Sequence, residues 1–413
     1  MSKKIIVYIS LLLVLLSFTG CQSYYSPSEG DNLSKPPENS TTPPAEDESL
    51  TAEEWMVLLP SVDYSGAVIT ITTPTDKMYY ASEEEINPTV IDTAILNRNK
   101  LVEEKYNVKI AEKLATEEQI LTQLKLSKNS GKQFSDFVNV STKYLSLFIN
   151  DSLLMNLNSL PYFDKDAKYL NQSTLQSATG RNTVYAIYDS ISFYQKQIWG
   201  VFYNKNLLSS VATTDLFSVY KNGKWTWDKF LSLSESAASE IMDIRSPDSA
   251  TDTFGFGCFV NKNELYPSLF FSLGNTIFGD TSKALSVNID YAKANSSINT
   301  ISTLVKSKSM FPLHETAALN AFKEGRLAFL IGRFDLSTVF SESTLNWGVL
   351  PLPKKSETAD HVSVLGNDAL AFCVPLNQSD SIRTSHILNA MVAASYEHIE
   401  EAIKTTYINY FLP

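Results

Sequence analysis

The sequence predicts an α/β fold with mostly parallel sheets flanked by helices, and two observations carry that reading. Short β-branched runs alternate with stretches of helical apolar spacing along the body of the chain. Beyond a proline-rich N-terminal stretch about 360 residues remain, too many for one compact core and enough for two lobes. In open sheets of this class a ligand binds beyond the carboxyl ends of the strands.

Ala67 to Thr72 alternates and is rich in β-branched residues, so it reads as a first strand closing at Thr73-Pro74-Thr75. Between Pro88 and Tyr106, Ile91, Ile95, Val102 and Tyr106 recur at helical spacing and form a buried face, interrupted at Arg98. Val108 to Ile110 is a short strand, Ile120, Leu121 and Leu124 mark another helix, and Phe137 to Val140 another strand. The turns Thr73–Asp76 and Ser141–Lys143 therefore become candidate ligand-facing loops. Val184 to Asp189 reads as a crossing strand and Trp199 to Asn204 as a second apolar strand. In Lys224 to Phe230, Thr226 suits a helix N-cap, and Asp228 sits in the first turn, where the macrodipole favours an anion. A helix from about Leu265 to Leu273 stops at Gly274-Asn275. Phe322 to Ile331 is a helix end, a turn and a strand, broken at Gly332 to Asp335. Trp347 to Pro353 and Ser363 to Phe372 complete the pattern.

The net charge of −11, with no basic cluster to offset it, argues against nucleic acid. An aromatic content of 11% fits ligands with flat apolar faces, but cores use aromatics too. Cys258 and Cys373 lie far apart inside apolar stretches and read as buried free thiols. His314, His361, His386 and His398 lack metal-ligand spacing, and no nucleophile elbow, phosphate-cradling glycine loop or zinc signature is present. No cofactor, metal site or catalytic residue is expected, and the chain is expected to bind rather than react, as a monomer.

At the N-terminus, Lys3 and Lys4 lead into an apolar run from Ile5 to Leu16, followed by Ser17-Phe18-Thr19-Gly20-Cys21. A run of roughly 12 residues is short of the about 20 a membrane span needs, so residues 1–20 read as a secretory signal. The pattern resembles the lipobox of bacterial lipoproteins, except that Phe18 stands where Leu is usual. That resemblance implies a lipidated Cys21 as the new N-terminus; the alternative is an ordinary secretory signal with a chance cysteine. Several acyl chains, at about 0.8 kcal/mol per buried CH₂, would hold the chain durably on the extracytoplasmic face of the cell membrane. Residues 21–58 follow as a tether. Between Gln22 and Leu50 stand five of the 16 prolines, and six acids against Lys35 give −5 of the net charge. Such a stretch cannot offset its ordering entropy by burial, so it is expected to be disordered and extended.

Five later segments carry a second resemblance: Gly200-Val-Phe-Tyr-Asn-Lys-Asn-Leu207, Trp225-Thr-Trp-Asp-Lys-Phe230, Phe322-Lys-Glu-Gly-Arg-Leu-Ala328, Trp347-Gly-Val-Leu-Pro-Leu-Pro353 and Gly366 to Phe372. In this order the chain, over roughly residues 60–413, resembles family 1 extracellular solute-binding proteins of ABC importers, the sugar-binding branch that includes maltodextrin-binding proteins. The resemblance implies a two-lobed, type II periplasmic-binding-protein-like fold with a hinge crossed more than once. One lobe would take 60–187 and about 365–398, the other 188–364 and 399–413. The ligand would lie between lobes that close over it, and an ABC permease would be the membrane partner. Members of the family usually continue with further helices, whereas this sequence stops at Tyr407 to Pro413, so a truncated second lobe is expected.

The same resemblance puts Phe334 where sugar binders often stack an aromatic on a pyranose; the other reading is a core aromatic. Arg333 could donate a bidentate bond or form a surface ion pair, and Asp335 could bind ligand or cap a helix. Asp76 and Lys77, after the first strand, suit hydroxyl binding at about 1.5–3 kcal/mol per desolvated bond, or belong to a solvated loop. Asn367 and Asp368 sit on the returning hinge strand, Tyr194 and Trp199 near the first hinge, and Glu264 before a helix facing the cleft. Trp225 and Trp227 read as core. Three functions compete: a lipid-anchored receptor delivering a carbohydrate or other small polar ligand to a permease, an exported glycan hydrolase or lyase, and a surface sensor lipoprotein without a transport partner.

Overall fold

The computed structural model describes residues 50–74, 89–180, 182–211, 215–238, 252–259, 262–277, 287–312, 315–340, 343–403 and 405–406. Cys21, the signal segment, most of the tether, and the candidates Asp76 and Lys77 lie outside the described residues. Two four-stranded sheets organise the molecule. The first is built from β1 (Ala67–Pro74), β2 (Val108–Ala115), β3 (Phe137–Ser141) and, from much later in the chain, β10 (Leu370–Cys373). Its order is β10-β3-β1-β2, with β1 parallel to both neighbours and β10 antiparallel to β3. A two-residue hairpin, β4 (Thr179–Gly180) and β5 (Thr183–Val184), lies apart from it. The second sheet contains β6 (Trp199–Asn204), β7 (Phe254–Cys258), β8 (Leu327–Arg333) and β9 (Trp347–Pro351), in the order β7-β8-β6-β9.

The expectation of mostly parallel sheets holds in the first sheet and needs correction in the second. There only β7 and β8 run parallel, while β6 is antiparallel to both β8 and β9. The cause is the passage between the sheets. β6 starts there at Trp199 and β8 finishes there at Arg333, so the paired residues Trp199 and Arg333 force opposite strand directions.

Strand alternation sorts the first sheet's two faces. Ile69, Ile71, Val108, Phe137 and Phe372 pack on the 381–403 helix through Ile387, Leu388 and Met391. Val138, Val140, Ala371 and Cys373 face Ile120, Leu124 and Phe148. The Val90–Tyr106 helix runs without a break through Arg98, whose buried guanidinium donates from Nε and Nη2 to Asn99 Oδ1 at 3.0 and 2.8 Å. Burial lowers its pKa to about 10, against the pull of Glu112.

The second sheet's core gathers Trp199, Val201, Trp225, Trp227, Phe230 and Phe329. Thr226 caps the Trp227–Ala238 helix, accepting from Lys229 N at 3.2 Å, and Trp225 Nε1 donates to the Pro351 carbonyl at 2.8 Å. Both tryptophans are core residues, as the sequence suggests. Cys258 and Cys373 are buried and unpaired in disulfides, and burial pushes the Cys258 thiol up to about 12.

Two expectations at the chain's margins change. Residues 52–58, assigned to the tether, form a helix closed by a Thr51–Glu54 capping box and fixed by Ala52 N donating to Glu397 Oε2 at 2.8 Å. Residues 399–403, assigned to the second lobe, instead continue the 381–403 helix. Ile399, Ala402 and Ile403 pack with Ala94 and Ile95 of the 90–106 helix. No described helix is long and apolar enough to cross a membrane.

Candidate ligand-binding cleft

Two chain segments pass between the sheets side by side. Trp199 N donates to the Val364 carbonyl at 2.9 Å, Gly366 N to the Gln197 carbonyl at 2.7 Å, and Ile187 pairs with Phe372. The end of β8 joins them through Phe334 N donating to the Ile198 carbonyl at 2.9 Å. This passage lies at the carboxyl end of β3, where Thr142 N and Lys143 N bond to the carbonyls of Ala369 and Asn367.

An ion cluster spans the passage with Arg333 at its centre. Arg333 Nη1 lies 3.3 Å from Glu264 Oε2 and 3.7 Å from Asp368 Oδ2, and its Nε lies 3.8 Å from Asp335 Oδ2. Asp368 Oδ1 in turn meets Lys143 Nζ at 3.0 Å, and Gln197 Nε2 donates to Asp335 Oδ2 at 3.0 Å. The cluster thus ties the end of β8 (Arg333) and the Lys262–Ser272 helix (Glu264) to the turn after β3 (Lys143) through the returning segment. Gly366 makes the crossing possible, since a Cβ there would lie 2.8 Å from Arg333 Cδ. Burial raises the Asp335 pKa, opposed by Arg333, Gln197 and Lys196. Burial would lower the Lys143 ammonium, but its bond to Asp368 and that charge outweigh it, leaving the pKa raised. Lys196 is lowered by burial against Asp335 and Asp92. Three carboxylates, one guanidinium and two ammonium groups therefore nearly cancel.

Beside the cluster lies a cavity of about 280 Å³, counting its open side, walled by Trp199, Glu264, Pro267, Ser268, Phe271, Val364, Leu365, Gly366 and Asn367. Six of the ten sequence candidates, Trp199, Glu264, Arg333, Asp335, Asn367 and Asp368, thus meet in one place. Phe334 is not among the residues walling this cavity. Its half-buried ring packs against the cluster of Ala94, Ile95, Phe193 and Ile399, which belongs mainly to the first sheet's helices. Tyr194 packs on the Leu365 cluster, its hydroxyl accepting from Asn171 Nδ2 at 3.0 Å. Asp76 and Lys77 lie outside the described residues. Sequence reasoning missed Gln197, Ser268 and Phe271. A signal for the last two existed: Glu264, Pro267, Ser268 and Phe271 fall at i, i+3, i+4 and i+7 on one helix face.

Asp189, next to the passage, is a second titrating group. It is buried, accepts from Asn171 N at 2.8 Å and Ser190 N at 2.6 Å, and burial raises its pKa to about 6, with Glu400 adding to the rise. An unfolded Asp titrates near ~3.9, so between about pH 4 and 6 the folded chain holds a proton the unfolded chain lacks. Stability therefore falls as pH rises through that window, by about 3 kcal/mol from this group. Melting curves from pH 4 to 7 should be flatter for Asp189→Asn than for the parent; parallel curves would contradict the assignment.

Among solved structures, the fold has many counterparts. The cyclo/maltodextrin-binding protein complexed with maltotetraose matches at TM-score 0.57 and 14% identity, over 83% of this chain and 78% of that one. The GacH receptor of Streptomyces glaucescens, solved unliganded and with acarbose, matches at 0.51 and 14%, over 81% and 79%. A family 1 extracellular solute-binding protein from Bifidobacterium longum subsp. infantis matches at 0.51 and 14%, over 83% and 80%. No family model and no curated protein sequence matches. The chain therefore has the two-lobed fold of solute-binding proteins, with the Arg333 cluster at the passage between its two sheets.

Proposed function

We propose that this chain is an extracytoplasmic solute receptor, lipid-anchored at Cys21, that captures a small polar ligand, a mono- or oligosaccharide, between its lobes. It would then deliver that ligand to an ABC permease. The observation that carries this reading is the convergence of Trp199, Glu264, Arg333, Asp335, Asn367 and Asp368 from separate segments onto one inter-lobe site. The solute-binding-protein fold of its structural counterparts, three of them named for sugars or sugar-like ligands, supports the class. Near cancellation of charge favours a neutral, hydroxyl-rich ligand, which can exchange bonds with ion pairs without adding charge to a half-buried site. In this reading the lobes are 60–187 with 365–398 and 188–364, and 399–403, which packs on the 90–106 helix, is assigned to the first. The carboxylates gather on one guanidinium instead of facing each other across a gap, as glycan hydrolysis requires.

A thermal-shift screen of a mixed sugar and peptide library tests the proposal. A cognate sugar at a hundredfold its Kd should add about 2.7 kcal/mol of stability. A library in which only peptides raise the melting point would overturn the carbohydrate reading.

A further inference from the structure

Phe193 is a bulky apolar residue with a left-handed backbone, at φ 53° and ψ 31°. The other non-glycine residues with positive φ among the described residues, Ser65, Asn107, Ser152 and Asn182, are small or polar. In that region a Cβ crowds the following carbonyl oxygen, a cost that only Gly escapes. Such a conformation persists where its surroundings over-determine it. Phe193 joins two short 3₁₀ turns, Ser190–Ser192 and Tyr194–Gln197, in the first segment that passes between the sheets. Its N–H donates to the Ser190 carbonyl at 3.1 Å, and its own carbonyl accepts from Lys196 N at 3.2 Å. The residue is 1% exposed and shares an apolar cluster with Ala94 and Ile95 of the 90–106 helix and Ile399, Ala402 and Ile403 of the 381–403 helix. Phe334, from the end of β8 in the other sheet, packs against the same cluster. The two segments are bonded beside it, by Phe334 N to the Ile198 carbonyl at 2.9 Å and by Gln197 Nε2 to Asp335 Oδ2 at 3.0 Å.

We propose that Phe193 is a strained pivot between the two sheets, kept left-handed by the apolar cluster, and that Phe334 is the second sheet's part of that clamp. Any change in the angle between the sheets moves the end of β8, and with it the ring of Phe334 against the cluster. Loosening the cluster lets Phe193 leave the left-handed region; tightening it holds the passage in one arrangement. Phe193 and Phe334 are therefore positioning residues. They set which angle between the sheets the chain prefers, and a ligand shifts that angle only by binding one arrangement better than another. The consequence for affinity rests on the capture reading above, whereas the pivot itself does not.

The test compares Phe193→Gly, Phe193→Ala and Phe334→Ala in the full chain without ligand, by melting and by hydrogen–deuterium exchange. Both Phe193 variants lose the ring, so the difference between them reports the backbone. At an ordinary position Ala is the more stable of the two, because it restricts the unfolded chain. At φ 53° the order should invert, with Phe193→Gly melting about 2 °C above Phe193→Ala. Phe193→Ala melting level with Phe193→Gly or above it overturns the strained pivot. Phe334→Ala should speed exchange about tenfold at the amides of Ser192, Phe193, Lys196 and Ile198, and leave β7 as in the parent. Simple loss of packing in the second sheet would instead speed β7 and β8 together. That result, or faster exchange confined to 331–336, overturns the coupling. Should neither Phe193 variant fold, Phe334→Ala, at a half-buried position, decides by its exchange pattern alone. A library screen in which no sugar binds removes the capture reading and leaves both readouts, taken without ligand, as they stand.

Discussion

Arg333→Ala is expected to weaken sugar binding at least a hundredfold. Arg333 is the one group in the cluster that contacts three carboxylates, from Glu264, Asp335 and Asp368. Its side chain is 24% exposed, and Glu264 and Asp368 are 14% and 28% exposed, so the pairs are only partly screened by water. Removing the guanidinium leaves half-buried negative charges facing one another, which pushes the lobes apart and removes the donors a hydroxyl pair would use. A hundredfold loss corresponds to about 2.8 kcal/mol, within reach of charged hydrogen bonds at about 1.5–3 kcal/mol each. Arg333→Lys should recover only part of the affinity, because an ammonium keeps the charge and loses the planar fork. Calorimetry with the sugar giving the largest thermal shift checks both variants, and an unchanged Kd for Arg333→Ala would remove the residue from the site.

The largest stability effect is expected from Gly255→Ala in β7. A Cβ at Gly255 would lie 2.1 Å from the Ser234 carbonyl oxygen and 2.6 Å from its carbon. Those are backbone atoms of the 227–238 helix, so no side-chain rotation relieves the clash, and strand and helix must separate. Overpacking costs about 1–3 kcal/mol or more, and about 3 kcal/mol would lower Tm by roughly 6–12 °C in a lobe of this size. Gly348→Ala is the matched control. Its Cβ would meet the ring of Tyr203, a side chain that can shift, so the drop should be smaller. Equal melting points for Gly255→Ala and the parent would contradict the packing of β7 on that helix.

Local chemistry made much of this legible. β6 spans the predicted Trp199–Asn204, and Thr226 caps the predicted helix, because strand alternation and capping are written within a few residues. The candidates at strand and helix ends, Arg333, Asp335, Asn367 and Glu264, come together because those ends share the passage between the sheets. What sequence does not carry is which surfaces meet. Phe334 stands one residue past Arg333, yet its ring joins an apolar cluster that draws Ala94 and Ile95 from more than two hundred residues earlier in the chain. The antiparallel course of β6 depends on where β8 ends, and Lys143 gains its role only through Asp368, which the fold brings to 3.0 Å. Arg98 looked like an interruption of a buried face because a guanidinium's burial depends on partners, here Asn99 and Glu112, that periodicity does not encode.

Hydrogen–deuterium exchange with and without the sugar that raises the melting point tests the central claim most directly, since it reports where the ligand sits. Protection is expected to gather in the segments that meet at Arg333: 141–144, 197–200, 264–271, 331–336 and 364–369. Protection confined to one lobe, away from these segments, would contradict capture between the lobes.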